Sequence, residues 1–176
     1  MVTEMKNIVL IGMPGCGKST CGVLVAKTFC MDFWDTDLLI QKNVKMPLQK
    51  IIDTKGSEYF RSAEEAACLA FPFQNAVVAT GGSVVYSPKA MERLKENASA
   101  VYLRISFETM RRRIADIEHR GILLRNGETL EDMFCERQPL YEKYADLTID
   151  CDGRGVEKTV SGIVEAVLSH EKADTV

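Results

Sequence analysis

The sequence has few histidines, no paired cysteine motif and no long apolar run. Its two histidines and six cysteines are scattered without a C-x-x-C pair, which argues against a zinc framework and a disulfide scaffold. Reduced thiols in a cytoplasmic protein are the simplest interpretation. No run approaches the roughly 20 apolar residues needed to cross a bilayer, and the apolar stretch at residues 8–11 is too short for a signal-peptide core. We therefore expect no membrane partner.

A concentrated basic segment is also missing. The formal net charge is -3, and the short cluster at residues 111–113 is the main basic run. Because binding to a phosphate backbone usually needs a concentrated basic face, we expect no nucleic-acid partner. At 176 residues and 46% hydrophobic content, the chain has the size of one domain with one sizeable core. We expect a single domain over residues 1–176, and a monomer.

Short apolar runs alternate with helix-like segments along the chain. Runs of about four to six residues without polar alternation are typical of parallel strands that are buried on both faces. The predicted strands cover residues 7–12, 31–35, 76–79, 100–103 and 147–150. The predicted helices cover residues 18–30, two segments within 38–70 that break near Met46-Pro47 and at Gly56, then 88–97, 107–117 and 155–169. This alternation predicts an α/β fold of three layers, with helices on both faces of a parallel sheet.

Residues 12–20 read GMPGCGKST, a full G-x-x-x-x-G-K-S match between a predicted strand and a predicted helix. Glycines permit a tight turn whose backbone N–H groups point at phosphates, and the helix N-terminus favours anions. We expect Lys18 to neutralise phosphate charge and the Ser19 hydroxyl to bind Mg²⁺. The alternative is a glycine-rich turn with a solvated lysine. The predicted cofactors are ATP and Mg²⁺, and the predicted phosphate-binding residues are Gly15, Cys16, Gly17, Lys18, Ser19 and Thr20.

Two carboxylates, Asp35 and Asp37, follow the second predicted strand. Strand ends and phosphate loops gather at one edge of an open α/β sheet. A magnesium ion wants oxygen ligands, and a hydroxyl acceptor needs a carboxylate within hydrogen-bond reach to orient it or take its proton. One aspartate for each task is the functional interpretation. The structural alternative is a helix cap, in which Thr36 or Asp37 caps a helix beginning at Leu38.

The motifs that follow complete an ordered set that resembles the shikimate kinase family. They are Asp35-Thr36-Asp37, Phe60-Arg61 with Glu64 downstream, Thr80-Gly81-Gly82, and Arg137-Gln138-Pro139-Leu140-Tyr141. The resemblance extends from Asn7 to about Leu168. It implies a P-loop NTPase fold with sheet order 2-3-1-4-5 and a mobile lid over about residues 118–136. It also implies transfer of the γ-phosphoryl group of ATP to shikimate, giving shikimate 3-phosphate in aromatic amino-acid biosynthesis.

The resemblance also implies roles for individual residues. On the acceptor side, Asp37 matches the residue that binds the hydroxyls and serves as base. Arg61 and Arg137 match the pair that binds the substrate carboxylate. Gly81 and Gly82 match the backbone contact to substrate. On the nucleotide side, Asp35 lies near magnesium, Arg120 matches the lid arginine, and Arg113 and Arg154 match positions near the adenine. The predicted catalytic residues are Lys18, Asp37 and Arg120.

Two departures from the family pattern keep alternatives open. Ser83 stands where the family usually has a third glycine, so a hydroxymethyl group alters the acceptor pocket. The lid is slightly short and has no proline after Arg120, which makes Arg125 the alternative lid arginine. Homoserine is the alternative acceptor, because it carries a carboxylate and a primary hydroxyl; gluconate-type kinases are a further enzymatic alternative. A catalytically silent nucleotide-binding module is the alternative from another functional class.

Overall fold

A parallel sheet forms the centre of the computed structural model, which describes residues 5–70, 74–115, 122–125 and 127–174. Within these residues the strands are β1 (Asn7–Ile11), β2 (Asp32–Asp35), β3 (Ala76–Ala79), β4 (Ala98–Arg104) and β5 (Leu147–Asp150). Their order is β2-β3-β1-β4-β5, and every neighbouring pair is parallel. The predicted sheet order is therefore confirmed. The central strand β1 is buried along its whole length, which explains why its sequence shows no polar alternation.

Helices connect the strands and cover the sheet. They are α1 (Lys18–Phe29), α2 (Thr36–Val44), α3 (Leu48–Leu69), α4 (Pro88–Lys95), α5 (Phe107–Ala115), α6 (Leu130–Tyr144) and α7 (Val156–Asp174), with a 3₁₀ turn at Val84–Tyr86. Helices α1 and α7 contact each other, whereas α4 and α6 contact β4. The predicted break at Gly56 is confirmed, because this residue has φ 83° and ψ 169° within α3. Glycine adopts this positive φ at little steric cost.

Helix α6 was not predicted from the sequence. Thr129 and Asp132 form a capping box at its start, and Pro139 lies inside it. A proline inside a helical pattern argues against a helix. Pro139 is therefore a local signal against the helix that the structure shows. Residues from Leu130 onward of the lid that the sequence predicts over about 118–136 lie in this helix, and the lid stays a prediction. Residues 118–121 and 126 of that lid lie outside the described residues.

Two apolar clusters hold these elements together. The larger cluster surrounds the sheet and includes the buried strand residues Ile8, Val78 and Leu103. The smaller cluster lies between α2 and α3, and Leu123 from the segment before α6 is packed into it. This packing places residues 122–125 beside α3. Among the residues that the structure describes, no helix is long and apolar enough to cross a membrane.

Candidate active site

The loop between β1 and α1 forms a cradle of backbone groups. Gly15 and Gly17 have φ of 80° and 102°, values that L side chains rarely adopt. A Cβ atom on Gly12 would lie 2.7 Å from the Leu103 carbonyl oxygen, so this position also requires glycine. The Lys18 side chain is buried, and its Nζ donates to the carbonyl oxygens of Gly12 and Met13 at 2.7 and 2.9 Å. The ammonium group is therefore held over the loop, where phosphate oxygens bind in such motifs.

Cys16 is a buried part of this loop. Its side chain is 2% exposed, and its Sγ lies 3.6 Å from Lys18 Nζ. Burial raises the pKa of the nearby Cys21 thiol to about 11 and that of Cys151 to about 12. Because thiolates are the reactive form, these two neighbours are held in an unreactive state. The environment supports a packing role for the sulfur atoms below the loop.

Ser19 and Asp35 bring a hydroxyl and a carboxylate together at the start of α1. The Ser19 hydroxyl donates to Asp35 Oδ2 at 2.6 Å. The other carboxylate oxygen accepts from the backbone N–H groups of Asp37 and Leu38 at 3.0 and 3.2 Å, so Asp35 caps α2. The structural alternative offered by the sequence was a cap formed by Thr36 or Asp37 on a helix that begins at Leu38. That alternative is wrong, because the helix begins at Thr36 and Asp35 is the cap.

This oxygen pair fits a magnesium ion that is bound together with a nucleotide. Mg²⁺ prefers oxygen ligands and is often held by one or two protein groups, with phosphates and water completing its shell. Among the described residues, no group of three or more His, Cys, Asp or Glu side chains is arranged to hold a metal by itself. The Ser19–Asp35 pair therefore suits a shared metal–phosphate site better than a metal cage made only of protein ligands.

Asp37 lies in the first turn of α2, beside the end of β3. A Cβ atom on Gly81 would be 2.9 Å from Asp37 Oδ1 and 2.0 Å from Glu64 Oε1, so both carboxylates face the same small space. The backbone N–H of Gly81 donates to the Thr36 hydroxyl at 3.0 Å, which fixes this loop against α2. Glu64 is 2% exposed. Burial raises the pKa of Glu64 to about 7, and the charge of Asp37 adds to this shift.

Gly82 joins the phosphate loop to the predicted carboxylate clamp. A Cβ atom on Gly82 would lie 3.1 Å from Pro14 Cδ and 3.2 Å from Arg137 Nη1. The Tyr141 hydroxyl donates to the Gly82 carbonyl oxygen at 2.6 Å, which anchors the loop to α6. Arg137 is 2% exposed, and its Nη2 donates to the Leu123 carbonyl oxygen at 2.7 Å. This contact fixes the orientation of the guanidinium group, which favours the binding of an anion.

Arg61 contributes a second guanidinium group from α3. Its Nε is buried and has no hydrogen-bond partner among the described residues. Arg61 also lines a cavity of about 350 Å³, together with Glu64, Ser83 and Tyr86. The guanidinium carbon atoms of Arg61 and Arg137 lie 4.9 and 5.3 Å from the centroid of the Tyr86 ring, so the structure brings these two predicted residues together.

The remaining predicted arginines have separate surroundings. Arg113 Nη1 donates to the Gly15 carbonyl oxygen at 3.1 Å, so this arginine touches the loop from α5. Arg154 follows β5 and lies against α7: its Nη1 atom is 3.5 Å from the position that a Cβ atom on Gly162 would occupy. Arg125 forms a bidentate ion pair with Glu136 at 3.0 and 2.8 Å. Arg120 lies outside the described residues, and its role as lid arginine stays a prediction.

Two residues of this site had no predicted role. Glu64 appeared only as part of a motif, and Tyr86 was not considered. A carboxylate on a helix is usually solvated, so no sequence signal marked Glu64 as buried. Tyr86 follows the Gly81-Gly82-Ser83 turn by three residues. Its position just after a glycine-rich turn at a strand end was the available signal, because such loops carry binding residues.

Comparison with known proteins identifies what this arrangement is similar to. The family model for shikimate kinase matches residues 14–168. A shikimate kinase of Caldanaerobacter subterraneus subsp. tengcongensis is 36% identical over 167 residues, covering 93% of this chain and 97% of that protein. One from Thermodesulfovibrio yellowstonii is 38% identical over 164 residues, covering 92% of this chain and 94% of that protein. A shikimate kinase from Acinetobacter baumannii in complex with shikimate superposes with a TM-score of 0.86 at 28% identity, covering 94% of each chain.

Proposed function

The chain belongs to the shikimate kinase family, and from that premise we propose that it phosphorylates a hydroxyl group of shikimate with ATP. It is an ATP-dependent phosphotransferase with a hydroxyl acceptor. The observation that carries the proposal is the position of Gly82 between the phosphate loop and Arg137, with contacts of 3.1 and 3.2 Å to a Cβ atom placed there. A carboxylate-bearing acceptor bound at Arg137 would therefore lie beside the phosphates.

The nucleotide side of the site is formed by the loop and the start of α1. We assign the phosphates to the backbone N–H groups of residues 15–20 and to the Lys18 ammonium group, which offsets charge on the transferring oxygens. Ser19 and Asp35 would hold Mg²⁺, which when bound offsets phosphate charge as a Lewis acid. Arg113 contacts Gly15 and borders this side. Arg120 and Arg154 are assigned to the phosphates and the adenine by the family resemblance.

The acceptor side is formed by residues from α2, α3, α6 and the loop after β3. We assign the acceptor carboxylate to Arg61 and Arg137, because a planar guanidinium group matches a carboxylate through two parallel hydrogen bonds. We assign Gly81 and Gly82 to the border of the acceptor site, because a Cβ atom on either residue would lie within 3.2 Å of a neighbouring side chain of this site. Asp37 would orient the reacting hydroxyl and take its proton as the oxygen attacks the γ-phosphorus.

The reaction is a displacement at phosphorus along one line. The acceptor oxygen forms a bond to the γ-phosphorus while the bond to the β-phosphate oxygen breaks, so ADP leaves and the hydroxyl proton passes to Asp37. Lys18 stabilises the transferring charge. Exclusion of water prevents hydrolysis as a competing reaction, and a closing lid performs this task in such kinases.

A coupled ADP-release assay tests the proposal. Mg·ATP is offered with shikimate, L-homoserine or gluconate in parallel reactions. We expect saturable ADP release with shikimate only. Turnover with L-homoserine or gluconate alone would contradict the acceptor assignment while leaving the nucleotide site intact. Tight binding of Mg·ATP without turnover of any of the three acceptors would instead indicate the catalytically silent module.

A further inference from the structure

The ring of Tyr86 lies at the meeting point of three arginine side chains. The guanidinium carbon atoms of Arg61, Arg137 and Arg125 lie 4.9, 5.3 and 5.5 Å from the ring centroid. All three distances are within the roughly 6 Å at which a cation interacts with an aromatic face. The arginines come from α3, from α6 and from the segment at residues 122–125. One ring therefore connects three separate parts of the chain.

Other contacts hold two of these arginines in place. Arg137 Nε donates to the Tyr86 hydroxyl at 3.4 Å, and its Nη2 donates to the Leu123 carbonyl oxygen at 2.7 Å. Arg125 is held by its bidentate ion pair with Glu136 on α6. These contacts leave further N–H groups of each guanidinium available, because the group carries five N–H donors. Arg61 Nε has no partner among the described residues.

Three cations around one ring produce a local excess of positive charge. Like charges repel, and the repulsion is strongest where side chains are buried, as Arg137 is. The aromatic face offsets part of this cost, and Glu136 offsets part of the charge of Arg125. The buried Glu64 carboxyl group offsets part of the charge of Arg137. The excess that is left suits an anion. A carboxylate bound here would accept charge-assisted hydrogen bonds from donors that the protein has already oriented.

We propose that Tyr86 is a positioning residue that organises Arg61, Arg137 and Arg125 into one acceptor-carboxylate site. Arg125 is the third arginine of this site and acts on the acceptor, not on ATP. The proposal rests on the proposed function, because it takes the acceptor to be a carboxylate. It adds a tyrosine and an arginine to the two-arginine clamp that the family resemblance implies.

Steady-state kinetics of variants provide the first test. Tyr86→Leu removes the ring, and we expect the KM for shikimate to rise about tenfold while the KM for ATP changes less than about twofold. Tyr86→Phe keeps the ring and loses only the hydroxyl contact, so it should restore most of the affinity. Arg125→Gln should raise the KM for shikimate about fivefold, and by less in the Tyr86→Leu background, because the two residues act together. A parallel rise in both KM values would overturn the proposal.

A matched tyrosine–cation pair elsewhere serves as control. Lys55 Nζ lies 4.5 Å above the Tyr59 ring on α3. Tyr59→Leu removes an equivalent interaction, and we expect both KM values to stay unchanged. The exposed position of the Arg125 side chain, 52% accessible, means that Arg125→Gln tests the proposal even where Tyr86→Leu folds poorly. An increase in the KM for shikimate in Tyr59→Leu would indicate a general packing effect and would count against the proposal.

Equilibrium binding of benzoate separates this proposal from the proposed function. Benzoate carries a carboxylate but no hydroxyl group, so its binding, measured by calorimetry, reports the anion site without turnover. We expect weak binding to the unmodified protein and a loss of about tenfold in Tyr86→Leu and in Arg125→Gln. This loss without any phosphorylation of shikimate would overturn the proposed function and keep the anion site. Unchanged benzoate affinity in both variants, or no binding to the unmodified protein, would overturn the anion site even if shikimate is phosphorylated.

Discussion

The Ser83 hydroxyl donates a hydrogen bond of 2.6 Å to Glu64 Oε2, and both residues are buried. The second oxygen, Oε1, is buried without a hydrogen-bond partner among the described residues. Burial raises the pKa of Glu64 to about 7; the bond from Ser83 opposes this shift and the charge of Asp37 adds to it. The serine that replaces the family glycine therefore points at Glu64 and stabilises its charged form. Beside Asp37, the chain holds a carboxyl group whose charge changes near neutral pH.

Removal of the Ser83 hydroxyl should destabilise the protein. In Ser83→Ala Glu64 Oε2 loses its hydrogen bond, so neither carboxylate oxygen has a partner among the described residues. A lost hydrogen bond to a charged group costs about 1–3 kcal/mol. Urea unfolding at pH 8 measures the change. The matched control is Ser99→Ala, because the Ser99 hydroxyl is buried but has no partner in the described part of the chain. We expect that control to be neutral or slightly stabilising, and equal losses in both variants would contradict the importance of the Ser83–Glu64 bond.

Glu64→Gln should remove a pH dependence of stability. The pKa of Glu64 is 4.5 in the unfolded chain and about 7 in the folded protein. Between these values the folded state binds more protons than the unfolded state, so the stability contributed by Glu64 is present below pH 4.5 and is lost as the pH rises through about 7. From pH 5 to pH 8 the free energy of unfolding of Glu64→Gln should rise relative to the unmodified protein by on the order of 2 kcal/mol.

The comparison of Glu64→Gln with the unmodified protein also defines the outcome that would contradict this prediction. A difference in the free energy of unfolding that stays constant between pH 5 and pH 8 would mean that Glu64 titrates alike in both states. Ser83→Ala is a useful third protein, because it keeps the carboxyl group and removes the hydrogen bond that lowers its pKa. Its loss of stability should therefore continue to a higher pH than in the unmodified protein.

Asp35→Ala should change both the stability of α2 and the magnesium requirement. Asp35 caps the helix and accepts the hydrogen bond from Ser19, so its loss should cost about 1 kcal/mol of stability and raise the Mg²⁺ concentration needed for half-maximal turnover. Ser87→Ala is the matched control, because Ser87 caps α4 through a side-chain bond to the Ala90 N–H. This control should lose similar stability and keep its magnesium requirement. If both variants need more Mg²⁺ for half-maximal turnover, the higher requirement is a consequence of lost stability and not of a lost metal ligand.

Asp37→Asn should separate proton transfer from nucleotide binding. The amide keeps the shape of the side chain but cannot take a proton, so turnover should fall at least about 100-fold while the affinity for Mg·ATP changes little. Lys18→Ala provides the comparison, because loss of the ammonium group over the phosphate loop should weaken both Mg·ATP binding and turnover. Calorimetry and the ADP-release assay measure the two quantities. Near-normal turnover of Asp37→Asn would remove Asp37 from the catalytic role.

The sequence determined the features that depend on neighbouring residues. The spacing of Gly12, Gly17, Lys18 and Ser19 predicted the phosphate loop, and uninterrupted apolar runs predicted the strands that form the parallel sheet. Gly56 marked the break in α3. These predictions succeeded because turn geometry, backbone N–H direction and strand burial are properties of a few consecutive residues. Helix α6 escaped the same reasoning, since Pro139 is a local signal that tertiary packing overrides.

Tertiary structure alone decided which side chains share an environment. Glu64 and Ser83 are 19 residues apart in sequence, and their contact gives a buried carboxyl group a raised pKa beside Asp37. The Tyr86 ring contacts arginines from three segments of the chain. Burial, desolvation and the mutual repulsion of charges depend on distances through space, which the packing of α2, α3 and α6 around one loop sets. For this reason the phosphate loop could be predicted from the sequence, whereas the electrostatics of the acceptor side depend on the tertiary structure.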